Sequence, residues 1–322
     1  RDAGRRRPVS ETVATAPAKL ILAGEHAVLH GHPAIAVPFP ALQTRVTVTA
    51  GQDTLTSDRY LGQRVAIAET RNGPLAPLCE ALREVRMWLD RMDRPWQPVE
   101  VAIHGDIPPG SGLGSSASVL VAAIRAAFAH HGSHPPVALV RQMATRAESL
   151  AHGTSSGLDP ATVSATGPIQ FIKGHAPVEL RIGRPFTLVV ANSGRAVSTR
   201  DQVVRVQARV ESEPAARMVL DRFEGLANRV AEALEYGELE ALGLALDDTH
   251  EALVTLGASD DSLDGLVRVA RSAGALGAKL SGAGGGGCVL ALAPDGDGEA
   301  IASAWRDLGC PHVWTQSYPE PA

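Results

Sequence analysis

Residues 108–119 read PPGSGLGSSASV, a run of glycine and serine between two segments of opposite periodicity. Upstream, VEVAIHGDI (99–107) alternates and carries β-branched residues, as a strand does. Downstream, VLVAAIRAAFAHH (119–131) meets no breaker until Gly132, as a helix does. The run is therefore a strand-to-helix turn. A helix start preceded by small residues offers free backbone N–H groups and the positive end of the helix dipole, and glycine lets a phosphate approach the backbone closely. A Walker A loop is excluded, because Gly114 is followed by Ser115 and not by lysine. The positions Gly112, Gly114 and Ala117 satisfy a dinucleotide fingerprint. That fold wants an acidic residue about 20 positions onward, yet no Asp or Glu occurs from Ile107 through Ala147. A tight turn with a serine cap on a core helix stays open on this stretch alone.

Two further stretches favour a ligand. KLSGAGGGGCVLAL (279–292) places five glycines in six residues between an expected helix end and an apolar strand, more than a helix C-cap requires. APAKLILAGEHAVLHG (16–31) puts Lys19 on a strand leading into a glycine turn, with Glu25 and His26 just beyond. Only Lys19, Lys173 and Lys279 are lysine among the 30 basic residues; the rest are arginine. So strong a bias keeps lysine where a compact ammonium is needed, and Lys19 is the leading candidate.

The chain of 322 residues exceeds one ordinary core, which predicts two domains sharing a cleft. Hydrophobic content of 44% with 20% charged residues is that of a globular protein, and no apolar run is long enough to span a membrane. A net charge of −5 argues against a nucleic-acid partner. Cys79, Cys288 and Cys310 are odd in number and lack metal-ligand spacing, which fits a reducing cytoplasm and no disulfide framework. Residues 1–11 read as a flexible arm, and the absent initiator Met as a trimmed or incomplete start.

From 12 to about 50, short apolar runs broken by Gly and Pro predict strands. Helices are expected at about 74–92, 115–131, 136–152, 199–211, 214–236, 238–255 and 260–275, with strands in PIQFIKG and PFTLVVANSG. A strand, a helix and a strand finish the chain: GGCVLALA, GEAIASAWRDLG and PHVWTQSY. Without steady βαβ alternation this is an α+β architecture, with the domain junction near residue 185.

The three glycine-bearing stretches, in this order and spacing, resemble the signature motifs of the GHMP small-molecule kinases, most closely the mevalonate kinase branch. The resemblance covers nearly all of the chain after the arm. GEHAVLHG (24–31) resembles the form of that branch, where phosphomevalonate kinases typically carry tyrosine at the position of His26. HGTSSGLDP (152–160) resembles its H-G-x-x-S-G-[VL]-D segment, and GRAVSTRDQVV (194–204) its substrate-side loop. Ala18 stands where glycine is common, and Ser111, Ser118 and Ser281 where Ala or Thr are frequent.

The resemblance implies a two-domain GHMP fold with the active site in the interdomain cleft: 12–184 the ATP-binding N-terminal domain, 185–322 the C-terminal domain. It implies ATP and Mg²⁺, with mevalonate phosphorylated to 5-phosphomevalonate on the route to isoprenoids. Asp159 falls on the catalytic aspartate, to accept or orient the hydroxyl proton, and Lys19 sits beside it near the transferring phosphoryl. A helix cap and an exposed edge-strand lysine are their plain alternatives. Pro109, Gly110, Ser111, Gly112, Leu113, Gly114, Ser115 and Ser116 would cradle the phosphates from one side, and Gly282, Gly284, Gly285 and Gly286 from the other. Ser116 and Glu148 match the magnesium ligands, against a cap and a solvent-facing helical charge. Glu25, His26 and Thr199 match substrate-binding positions, with N-capping an equal alternative for Thr199. His30 and His32 have no role, and Cys288 is a small core residue. A homodimer is compatible with the resemblance; no membrane or nucleic-acid partner is implied. Two readings compete with it: the same scaffold acting on another small alcohol such as phosphomevalonate, and a ligand sensor without turnover.

Overall fold

The computed structural model describes residues 11–58, 62–152 and 155–319, so the arm before Glu11 and the motif residues Gly153 and Thr154 lie outside the described residues. In chain order come β1 (Thr12–Ala23), β2 (Ala34–Ala50), β3 (Thr54–Ser57), β4 (Arg64–Ala66), α1 (Ala76–Arg91), β5 (Val99–Gly105) and α2 (Ser115–His130). Next are α3 (Val137–His152), α4 (Leu158–Val163), β6 (Ile169–Phe171), β7 (Val178–Glu179), β8 (Phe186–Asn192), α5 (Thr199–Ser212), α6 (Pro214–Asp221) and α7 (Phe223–Tyr236). The series closes with α8 (Leu239–Thr255), α9 (Asp261–Ser272), β9 (Gly277–Ser281), β10 (Cys288–Leu292), α10 (Glu299–Asp307) and β11 (His312–Tyr318). The class is α+β, as the pattern predicts.

Two compact units alternate along the chain. The first holds residues up to Ala16, Gln43–Asp106 and Ser116–Ser155. Here the second half of β2 pairs antiparallel with β5, β3 pairs parallel with β5, and β4 closes on β3. Val46 faces Ile103 and Val48 faces Val101 across the ladder, all four buried, so one face of the alternation meets the core. Helix α1 buries Leu78, Leu82, Val85 and Leu89, the stripe its spacing requires. Trp88 meets Phe128 of α2 edge to face at 5.4 Å.

The second unit holds Pro17–Leu42, Ile107–Ser115 and the chain from Ser156 onward. Its four-stranded antiparallel sheet runs β11-β8-β10-β9. Leu188, Val190, Leu290 and Leu292 enter one apolar cluster with Leu20, Leu22 and Phe39 and with α7 and α8. Val189, Ala191, Val289 and Ala291 enter another with α9, α10 and the buried Trp305, whose indole N–H donates to the Leu266 carbonyl at 2.9 Å. Burial on both faces explains why FTLVVAN and CVLAL read as unbroken apolar runs. Each fully buried leucine contributes about 1.5–3 kcal/mol.

Three expectations give way. The single helix over 214–236 is two, interrupted at Arg222 between α6 and α7. The short runs of 34–50 form one strand through Pro38 and Pro40. These prolines fall between the residues paired with β6 (34–36) and those paired with β5 (44–50), and β2 also pairs with β1. The third glycine stretch follows a strand, β9, not a helix end: it is the β9–β10 turn.

Candidate active site

The first glycine run enters the second unit after Ile107 with Gly110, Gly112 and Gly114 all at positive φ, so the run reverses direction at alternate residues. Ser111 Oγ donates to the Pro108 carbonyl at 2.7 Å, and Lys19 N donates to the Leu113 carbonyl at 3.0 Å. That second bond fastens the run to β1 at the lysine itself. The β9–β10 turn lies against it backbone to backbone. A Cβ on Gly112 would stand 3.0 Å from the Ser281 carbonyl oxygen, and one on Gly282 would stand 2.9 Å from the Gly112 Cα. The glycine excess in the third stretch is thus required by the protein's own packing, before any ligand is considered.

Lys19 projects from β1 with 3% exposure and pairs with Asp159, Nζ to Oδ1 3.1 Å. Asp159 lies in the first turn of α4, not in a loop, and Gly157 (φ 87) caps that helix, so the aspartate is not the N-cap. Its side chain keeps 31% exposure. The lysine is accordingly a buried cation and the aspartate an open carboxylate held beside it. A Cβ on Gly114 would come within 2.7 Å of Lys19 Cγ, so the same glycine run borders the pair.

After β1 the chain turns at Gly24 into Glu25 and His26, both buried. His26 has φ 60, a conformation that costs a non-glycine residue about 1–3 kcal/mol. Its Nε2 lies 3.0 Å from the Ala283 carbonyl. A carbonyl only accepts, so Nε2 carries the hydrogen and Nδ1 is left as an acceptor. Burial lowers the imidazole pKa to about 4, which keeps the ring neutral near pH 7. Glu25 Oε1 accepts from Lys279 Nζ of β9, while Oε2 is buried without a partner among the described residues. Burial pushes the Glu25 carboxyl up and the Lys279 ammonium down, each against the other's attraction.

Residues 78–167 match the GHMP kinases N terminal domain and residues 230–309 the GHMP kinases C terminal family. Mevalonate kinase of Pyrococcus furiosus is 34% identical over 93% of this chain and 94% of its own. Mevalonate kinase of Aeropyrum pernix is 35% identical over 89% of this chain and 90% of its own. The chain belongs to the mevalonate kinase family of GHMP kinases. Among solved structures, L. major mevalonate kinase in complex with R-mevalonate superposes with a TM-score of 0.79 at 29% identity, covering 98% of this chain and 99% of that one.

The second unit brings together most of the positions marked by resemblance to the mevalonate kinase family: Lys19, Glu25, His26, Pro109 to Ser115, Asp159, Thr199 and the third glycine loop. Ser116 and Glu148 belong to the first unit. Helix α2 begins one residue before Ser116, whose side chain is exposed. Glu148 is buried at 7% exposure and accepts from Ser155 Oγ at 2.5 Å, so it is not a solvent-facing helical charge. Thr199 is exposed at the start of α5; the cap is Ser198, whose hydroxyl accepts from Asp201 N. The serines that depart from the family pattern are each engaged: Ser111 as above, Ser118 donating to the Ala16 carbonyl and Ser281 accepting from Ile21 N. Sequence reasoning passed over Lys279. Its signal was the scarcity of lysine, which was applied to Lys19 alone.

Proposed function

We infer that this protein transfers the γ-phosphoryl group of ATP to the hydroxyl of mevalonate, giving 5-phosphomevalonate for isoprenoid synthesis. The observation that carries the reading is the Lys19–Asp159 pair beside the first glycine run. Phosphoryl transfer to an alcohol asks for positioning and charge neutralisation more than for covalent chemistry. Asp159 accepts or orients the proton of the attacking hydroxyl, and Lys19 places positive charge beside the transferring group. Backbone N–H groups of the two glycine loops receive the phosphates. Glu25 Oε2 and His26 Nδ1 are acceptors for substrate hydroxyls, and Thr199 supplies a further hydroxyl on the substrate side.

Ser116 and Glu148 would hold Mg²⁺. Both are hard oxygen donors of the kind magnesium takes alongside phosphate oxygens and water. The ion would neutralise charge on the β- and γ-phosphates. The family matches at 78–167 and 230–309 support an N-terminal, ATP-binding half of the sequence over 12–184 and a C-terminal half over 185–322, a division along the sequence distinct from the two interleaved compact units. We assign the protein to the cytoplasm on its free thiols Cys79, Cys288 and Cys310. Among the described residues no helix is long and apolar enough to cross a membrane.

The test is ADP formation by purified protein offered mevalonate, phosphomevalonate, homoserine and galactose in turn. Mevalonate should support turnover and phosphomevalonate should not. The reverse preference would overturn the assignment.

A further inference from the structure

Three lysines survive in a chain that otherwise uses arginine, and two of them are buried. Lys19 has its place beside Asp159. Lys279, at 0% exposure, lies on β9 opposite Leu290, in the middle of an apolar strand pair. Its ammonium has three N–H groups and finds three acceptors: the Ile21 carbonyl at 3.0 Å, the Leu280 carbonyl at 2.6 Å and Glu25 Oε1. A guanidinium brings five donors in a wide plane and could not be satisfied by three acceptors around one point. The site requires lysine. A buried ion pair of this kind contributes little net stability over apolar residues of similar volume, so stability alone does not account for it.

What the pair does to Glu25 is specific. One carboxylate oxygen is taken by Lys279, and the other is buried without a hydrogen-bond partner among the described residues. A carboxyl group with one oxygen tethered and the other unpartnered presents a single oxygen of fixed direction. Lys279 also reaches the Ile21 carbonyl, Ser281 Oγ accepts from Ile21 N at 3.0 Å, and His26 meets the Ala283 carbonyl. Bonds on either side of Glu25 thus tie the strained Gly24–His26 turn to β9 and the third glycine loop. We propose that Lys279 is a positioning residue that aims the free oxygen of Glu25 at a hydroxyl of the acceptor substrate. The proposal rests on the reading of Glu25 as a substrate group.

The experiment compares wild type with Lys279→Met, Glu25→Gln and the double variant, measuring thermal midpoint and separate KM values for mevalonate and ATP. Lys279→Met should raise the mevalonate KM on the order of 10- to 100-fold, the loss of a charge-assisted hydrogen bond, with the ATP KM within about twofold. Glu25→Gln should act in the same direction, and the double variant should lose no more affinity than the worse single variant, because both act through one carboxylate. With both charges gone, the double variant should regain much of the thermal midpoint lost by either single change while its mevalonate KM stays high. If Lys279→Met yields no folded protein, the double variant carries the test, and a wild-type mevalonate KM there overturns the proposal. Equal rises in both KM values would make Lys279 a purely structural group. An unchanged mevalonate KM in Lys279→Met with an impaired Glu25→Gln would remove Lys279 and leave Glu25 in place, and no response in Glu25→Gln would remove both. Absence of mevalonate turnover in wild type would instead overturn the functional reading itself.

Discussion

Replacing Asp159 by asparagine keeps the side chain's shape, removes its charge and leaves the ammonium of Lys19 buried alone. At 3.1 Å the pair attracts by about 5 kcal/mol at an effective dielectric of 20. The carboxylate's 31% exposure admits water, and burying Lys19 offsets much of the rest, so the net loss of stability should be about 1–3 kcal/mol. Turnover should suffer more. A missing general base costs on the order of 10² to 10⁴ in rate, equivalent to about 3–5 kcal/mol of barrier. Lys19→Met should also depress turnover, and the double variant should lose far less than the product of the two losses, since the pair acts as a unit. Coupled detection of ADP gives the rates, calorimetry gives mevalonate binding in all four proteins, and binding should outlast chemistry. Near-normal turnover in folded Asp159→Asn would remove Asp159 from the mechanism, and fully multiplicative losses would mean that the two side chains act independently.

Ser116→Ala and Glu148→Gln should each raise the Mg²⁺ concentration needed for half-maximal activity and lower turnover; wild-type metal titrations in both would reduce these residues to a helix position and a buried carboxylate. Gly284→Ala puts a Cβ 1.9 Å from the Ala258 carbonyl oxygen and should destabilise the protein well beyond Gly174→Ala, which meets nothing within 4 Å and costs about 1 kcal/mol of backbone strain. Equal denaturation midpoints for the two variants would show that the third loop yields freely. His26 titrates near 4 in the folded protein against 6.5 when exposed, so between those values the unfolded chain binds a proton that the native one does not. Its contribution is present above about pH 6.5 and is lost as pH falls toward 4, by about 3 kcal/mol in total. Urea denaturation across that window should be less pH-dependent in His26→Gln than in wild type; identical slopes would contradict the assigned burial.

Motif chemistry was legible where it is local. The glycine run, GEHAVLHG and the aspartate after Gly157 and Leu158 announce themselves because strand, turn and helix start are each encoded within a few residues. What escaped is long-range. Lys279 finds its partner 254 residues away, and no local pattern marks a lysine in an apolar strand as one half of an ion pair. The third loop's glycines looked like space for a ligand, yet Gly282 and Gly284 are already crowded by Gly112 and Ala258. Arg222 breaks a helix whose flanking residues keep a helical spacing, and neither glycine nor proline warns of it. Pro38 and Pro40 warn of a break that does not occur: β2 runs unbroken from Ala34 to Ala50.

The scarcity of lysine also fixes how the protein meets an amine-directed reagent. Of its three ε-amines, Lys19 and Lys279 are sealed at 3% and 0% exposure and only Lys173 is open to solvent. An activated ester at mildly alkaline pH should therefore acylate Lys173 among the lysines. Acylation at Lys279 can proceed only when the β9–β10 hairpin opens, so its rate relative to Lys173 reports the free energy of that opening. Peptide mass mapping of a labelling time course would thus read local breathing in the native enzyme, with no engineered cysteine and no substitution near the reacting groups.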